Sequence, residues 1–195
     1  MAAEAGYPRV FISYTHETPS HESRVLELAQ WLRDRGVDCR IDQFEQFPAE
    51  GWTKWMRNQI RQAEFVLVVC TEPYLRRFEG EEVPGIGRGA TWEGTIISLE
   101  LYREALRNTK FVPVILSSTD EANIPDVLRD YQHFDVSVEV DKDKLYRLLM
   151  GQPEVTPHPV GRPRRPARRR AQKVVLFHET GRADQWNHPG SATRD

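Results

Sequence analysis

A glycine-rich stretch, Gly85-Ile86-Gly87-Arg88-Gly89-Ala90, delivers the pair Trp92-Glu93 onto a helix-periodic apolar run through Ile96, Ile97, Leu101, Ala105 and Leu106. Glycines let backbone approach a ligand closely, and the exposed N–H groups and positive dipole end of a helix favour an ionised carboxylate in its first turn. Beside an indole face, such a carboxylate suits a flat, charged ligand. Glu93 is therefore the candidate catalytic carboxylate and Trp92 a candidate binding platform. The string Gly85-x-Gly87-x-x-Ala90 also fits a dinucleotide fingerprint. It starts about fifteen residues after the preceding strand rather than at its end, and in the third unit rather than the first, so its context is wrong for that role.

The elements that must position these residues alternate between strand and helix over residues 8–152. Apolar runs predict strands at Val10–Tyr14, Val37–Ile41, Phe65–Cys70, Phe111–Leu116 and Phe134–Val136. Between them, Ser20 offers an N-cap for a helix carrying Val25, Leu28, Ala29 and Leu32, with Gly36 as its stop. Trp52, Trp55, Met56, Ile60 and Ala63 mark the core face of a second helix, the segment after the third strand reads as a long loop, and a final helix covers about Asp141 to Met150. Pro113 inside the fourth strand predicts an edge or a bulge. The pattern predicts an α/β, flavodoxin-like three-layer fold with a five-stranded parallel sheet. In such sheets ligands gather beyond the carboxyl ends of the strands where strand order reverses. The loops that reach that edge hold Ser13, Tyr14, Thr15 and His16, the segment Asp42 to Gly51, and the Trp92-Glu93 loop.

Composition excludes several classes. The chain has 195 residues, 39% hydrophobic and 29% charged, with no apolar run near the roughly 18 residues of a membrane span. The N-terminus lacks the basic start and apolar stretch of a secretory signal, predicting a cytoplasmic protein. Cys39 and Cys70 sit in strand-like runs and read as core thiols; His16 and His21 have no ligand set at metal spacing, so no metal is expected. Residues 153–195 carry 9 Lys and Arg against 4 Asp and Glu, leaving 18 against 25 for residues 1–152, so a tail near +5 follows a body near −7. Prolines at 157, 159, 163 and 166 break that tail, and no aromatic residues interleave its arginines as a nucleic-acid stacking platform requires. The organisation expected is an N-terminal lead at 1–7, one domain at 8–152, an Arg/Pro-rich linker at 153–173 and a poorly ordered segment at 174–195.

Val10-Phe11-Ile12-Ser13-Tyr14, Ile41-Asp42, Phe65-Val66-Leu67-Val68-Val69-Cys70-Thr71 and the loop from Pro84-Gly85-Ile86-Gly87 into Thr91-Trp92-Glu93-Gly94 together resemble the TIR superfamily, most closely its SEFIR branch. The likeness spans roughly residues 8–150. It implies either a homotypic assembly module of immune signalling, as in the interleukin-17 receptor system, or an enzyme that cleaves NAD, as in defence against phage; both work as oligomers. The position matching the enzymatic members' glutamate is Glu93. Many TIR domains place that glutamate four residues after a tryptophan, whereas Glu93 follows Trp92 directly and the residue four on is Ile96.

Cleavage of the nicotinamide–ribose bond passes through an oxocarbenium-like state that one carboxylate stabilises, and nicotinamide leaves neutral without a strong general acid. The expectation is hydrolysis of NAD, as substrate and not cofactor, to nicotinamide and ADP-ribose. Glu93 is the catalytic group, with Ser13, Tyr14, Thr15, His16, Asp42 and Trp92 against substrate. The other expectation is a non-catalytic homotypic module docking through Phe44, Phe47 and Pro48, exposed on the acidic 42–51 segment. Structural readings stand beside these: Glu93 favouring a helix start, Asp42 capping a turn, Ser13-Tyr14 ending a strand. A phosphoacceptor receiver is excluded, because the first and third strand ends read Ser13-Tyr14 and Cys70-Thr71 instead of aspartates.

Overall fold

The computed structural model describes residues 6–80 and 108–163. The chain divides into two units, residues 1–156 and 157–195; in the second, the described residues 157–163 are all exposed. The first unit runs β1 (Arg9–Ser13), α1 (Pro19–Arg33), β2 (Asp38–Arg40), a 3-10 turn (Asp42–Phe44), α2 (Trp52–Gln62), β3 (Phe65–Val69), α3 (Glu72–Glu79) and β4 (Phe111–Ile115). A second 3-10 turn (Ser118–Asn123), α4 (Asp126–Arg129), β5 (Phe134–Asp135) and α5 (Glu139–Leu149) complete it. The five strands pair in parallel in the order β2-β1-β3-β4-β5. This is the expected doubly wound sheet, and strand order reverses between β1 and β3.

Both faces of the sheet are covered, which is why β1 and β3 read as continuous apolar runs. Val10, Ile12 and Tyr14 face one layer with Val25, Leu28, Ala29 and Leu32 of α1 and Leu145 and Leu149 of α5. Phe11 faces the other, with Trp55 and Ile60 of α2, Tyr74 of α3 and Leu128 of α4. The buried residues of α1 recur at i, i+3, i+4 and i+7, so one stripe meets the sheet. Its N-cap is Thr18 rather than Ser20: the Thr18 hydroxyl accepts from the His21 N–H at 3.1 Å, and Pro19 takes the first helical position, where a missing N–H costs nothing.

Four further expectations change. Pro113 lies on an interior strand, paired with Val68 on β3. The Val114 carbonyl accepts from Cys70, just past β3, and the Ile115 carbonyl from Val136 beyond β5, so Pro113 turns its donorless nitrogen towards β5. There, β5 pairs only with Val114 and Ile115, and no ladder bond is lost. The segment after β3 is not simply loop. Thr71 caps α3 by accepting from Tyr74 N–H at 3.2 Å, Pro73 sits in its first turn, and Gly80 at φ 78° supplies the left-handed stop. Trp52, expected in the core, is 45% exposed and packs edge-on against buried Trp55 at 5.8 Å between centroids. Pro48 is buried rather than exposed, within a turn closed by Gly51 N–H on its carbonyl at 2.9 Å.

Candidate functional site

Strand β1 ends on Ser13, and the next four residues, Tyr14 to Glu17, cross the switch point before Thr18 starts α1. Thr15 is buried, and its hydroxyl donates to Glu17 Oε1. From the end of β3, the buried Thr71 hydroxyl donates to the same oxygen at 2.5 Å, and the two hydroxyl oxygens lie 3.4 Å apart. One carboxylate thus joins the β1 and β3 ends. Its other oxygen, Oε2, takes no hydrogen bond among the described residues, and the Glu17 side chain is 19% exposed. The His21 side chain closes one flank, with Nε2 3.9 Å from Glu17 Oε1, beyond hydrogen-bond range. That nitrogen is buried without a partner, a deficit of about 1–3 kcal/mol. Burial lowers the pKa of His21 and outweighs the nearby Glu17 carboxylate, so the ring favours its neutral form.

On the other side of Tyr14 a second carboxylate is fully engaged. Asp42 Oδ1 accepts from the Tyr14 hydroxyl at 2.7 Å, and Oδ2 pairs with His16 Nε2 at 2.7 Å. The Gln43 amide donates to the Tyr14 oxygen at 2.8 Å and to the Glu22 carbonyl at 3.1 Å, while His16 Nδ1 meets Glu22 Oε1 at 3.1 Å. The strand end, α1 and the turn that opens the 42–51 segment are tied together by these bonds. Burial, reinforced by the Asp42 carboxylate, pushes the Tyr14 phenol well above its ordinary value and keeps its proton available to donate. At His16 burial alone would lower the pKa, but the Asp42 and Glu22 carboxylates outweigh it and the net direction is up.

Comparison with known proteins decides the family. The TIR domain family model matches residues 10–149. This chain belongs to the TIR domain family. The domain is 25% identical to human interleukin-17 receptor D over 167 residues and 27% identical to the mouse receptor over 159; each alignment covers 77% of the chain. The chain spans 21% of the length of these curated relatives. Among solved structures, a prokaryotic SEFIR domain superposes with a TM-score of 0.59 at 26% identity, covering 79% of this chain and 99% of that one. The SEFIR-type TIR likeness carried by the motifs is upheld.

Within the TIR domain, the expected substrate residues Ser13, Tyr14, Thr15, His16 and Asp42 do come together, at the carboxyl end of β1. Their exposures differ. Ser13, Tyr14 and Thr15 are buried, with Ser13 Oγ 3.0 Å from the Tyr74 hydroxyl, so these three support the edge from beneath. Tyr14 offers no open stacking face: His16 and His21 rings lie 5.1 and 6.1 Å from its centroid. Glu93 and Trp92 lie outside the described residues. The residues missed in the sequence are Glu17, Glu22, His21 as a partner, Gln43 and Thr71. The signal for Glu17 was its spacing: on extended chain, residues two apart point the same way, which sets it beside Thr15.

Elsewhere among the described residues of the TIR domain the cysteines are buried and the histidine and carboxylate sets are small. Burial pushes both the Cys39 and Cys70 thiols up to about 12, leaving them unreactive core groups. Among the described residues no cluster of three His, Cys, Asp or Glu could hold a metal ion, and no helix is long and apolar enough to cross a membrane. An open cleft of about 390 Å³ lies between Phe134 of β5 and Lys144, Arg147 and Leu148 of α5. It flanks the start of an edge strand, away from the β1–β3 switch point where ligands of such sheets collect.

Proposed function

We propose that this is a SEFIR/TIR signalling domain that self-associates and hydrolyses NAD to nicotinamide and ADP-ribose, with Glu93 as the catalytic carboxylate. The observation that supports this reading is the polar edge at the β1–β3 switch point. There the partly exposed Glu17 carboxylate, held from beneath by buried Thr15 and Thr71 and flanked by His21, lies in the crevice where doubly wound sheets hold nucleotides. In the proposed step, water adds to the ribosyl C1′ as its bond to the nicotinamide nitrogen breaks; the electron pair leaves with nicotinamide, which departs neutral, and one proton is released. The Glu93 carboxylate offsets the positive charge that builds on the ribose. The test is release of nicotinamide from NAD by the purified chain, with and without a crowding agent. The expected result is turnover that rises with assembly and is lost in Glu93→Gln. A folded, assembled Glu93→Gln protein that turns over at the parent rate sinks the catalytic assignment.

A second reading, a homotypic module without turnover, is favoured by one surface. Phe47 is 86% exposed and Phe44 41%, on the segment that Asp42 anchors, and Trp52 follows at 45%. Aromatic side chains grouped on one exposed segment suit docking against a second copy. Complete absence of nicotinamide release, with self-association that depends on Phe47, selects this reading.

A further inference from the structure

We propose that Glu17, backed by His21, is a binding site for the vicinal hydroxyls of a ribosyl ligand at the β1–β3 switch point. Three observations carry it. First, Glu17 Oε1 is saturated by the Thr15 and Thr71 hydroxyls, so the carboxylate is fixed in direction, while Oε2 is left as an acceptor at a partly exposed edge. Second, His21 Nε2, on a side chain nine-tenths buried, has no partner and faces the same carboxylate across 3.9 Å. Buried polar atoms are almost always paired, and a ligand hydroxyl admitted by a small shift of the Glu17 carboxylate supplies the missing donor. Third, the position is set by topology: these atoms stand where strand order reverses, the chain leaving β1 outward to β2 and leaving β3 the other way to β4.

The chemistry of the groups defines the ligand. A fixed carboxylate rejects phosphate and other anions and accepts from hydroxyls. The Thr15 and Thr71 oxygens, having spent their protons on Glu17, also offer lone pairs only. Glu17 Oε2 accepts at the edge, and His21 Nε2, with the ring proton on Nδ1, becomes a second acceptor behind it once the carboxylate shifts; two such acceptors match two adjacent hydroxyl donors. A ribose diol has that form, and its phosphates would lie away from Glu17. The proposal deepens the ribosyl reading of the site above and rests on it for the ligand class. It assigns recognition to a residue other than the proposed catalytic one.

The experiment is a titration of the full chain with ADP-ribose, which has no nicotinamide bond to break, followed by calorimetry and by the histidine ring resonances. Saturable binding is expected to shift the His21 Cε1–H signal while leaving His158 in place. Glu17→Gln, which keeps an oxygen for the Thr15 and Thr71 hydroxyls to donate to, is expected to weaken binding at least fivefold without lowering the melting temperature. No binding, an unmoved His21 signal, or a smaller loss in a folded Glu17→Gln protein overturns the proposal. The His21 signal is read on the unmutated chain, so the test survives a variant that does not fold. The two readings also fail separately. ADP-ribose binding that depends on Glu17, without nicotinamide release from NAD, removes the hydrolase and keeps this site. Nicotinamide release with a KM unchanged in Glu17→Gln removes this site and keeps the hydrolase.

Discussion

Asp42 and Glu17 are carboxylates at the same strand end, flanked by the two histidines that border Tyr14, yet their surroundings use them differently. Asp42 has both oxygens taken, by a buried phenol and by an imidazole that also meets Glu22. Glu17 has one oxygen taken twice and the other open. A carboxylate with both oxygens bound inside the protein holds parts of the fold together; one with an oriented free oxygen is ready for something that arrives. The neighbouring histidines follow the same division, raised towards the charged form beside Asp42 and lowered towards the neutral form beside Glu17.

The largest effect that tests this contrast is on stability. Asp42→Ala leaves the buried Tyr14 hydroxyl without its acceptor and His16 without its closest carboxylate, and is expected to destabilise the domain by about 2 kcal/mol. Glu17→Ala should cost less, about 0.5 kcal/mol, because the Thr15 and Thr71 hydroxyls, 3.4 Å apart, can bond to each other once the carboxylate is gone. Urea midpoints of the two variants provide the measurement. Equal losses, or the reverse order, would break the distinction between a structural carboxylate and a poised one.

Thr71 gives the next step down. It caps α3 and also donates to Glu17, so Thr71→Val removes both interactions and should cost about 1 kcal/mol, most of it from the cap. Thr71→Ser, which keeps the hydroxyl, should recover most of the loss in the same denaturation series. A Thr71→Ser protein no more stable than Thr71→Val would place the cost in packing instead.

How far the sequence revealed this arrangement depends on the range of the interaction. The sheet was legible because β1, β3 and β4 are covered on both faces and so read as unbroken apolar runs, and the α1 stripe was legible from its spacing. Pro113 misled because its consequence depends on where β5 begins, which no local pattern states. The caps of α3 were present in Thr71-Glu72-Pro73 and Gly80, but the glycine-rich loop beyond drew the reading away from them. Asp42 and His16 were found as chemistry-bearing residues at the right edge. Glu17 was not: its environment comes from Thr71, 54 positions away, and a lone glutamate ahead of a helix cap looks like ordinary solvated chain.

The histidines allow the contrast to be read in pH, with a smaller effect. His16 has a raised pKa, so its contribution is fully present below the ordinary unfolded value near 6.5 and fades as pH rises through the folded value. His21 is lowered, so its neutral form contributes above about 6.5 and stability is lost as pH falls through the folded value. The groups bearing on His21 are Glu17, Glu22, Arg24 and Asp120, and those on His16 are Asp42 and Glu22. Both rings retain some solvent contact, so each effect should be about 0.5 kcal/mol or less. His16→Gln is expected to flatten the stability profile on its alkaline side and His21→Gln on its acid side, as measured by denaturation midpoints between about pH 5 and 8. Flattening on the same side in both variants would contradict the opposite tuning.

The smallest effect on folding separates the Asp42 network from the surface it carries. Phe47 is almost fully exposed, so Phe47→Ser should change stability by less than about 0.5 kcal/mol. If the tie from Tyr14 and His16 to Asp42 serves to pose the 42–51 segment for docking, Phe47→Ser lowers self-association in sedimentation with an unchanged melting temperature. Asp42→Ala, by contrast, lowers both, since it releases the segment and exposes a cost inside the fold. Glu17→Gln should leave self-association unaltered, because its carboxylate belongs to the crevice between β1 and β3 and has no bond to that segment among the described residues. Loss of association in Glu17→Gln would join the two carboxylates into one device; its retention, beside loss in Phe47→Ser, keeps assembly and ligand recognition on separate sides of Tyr14.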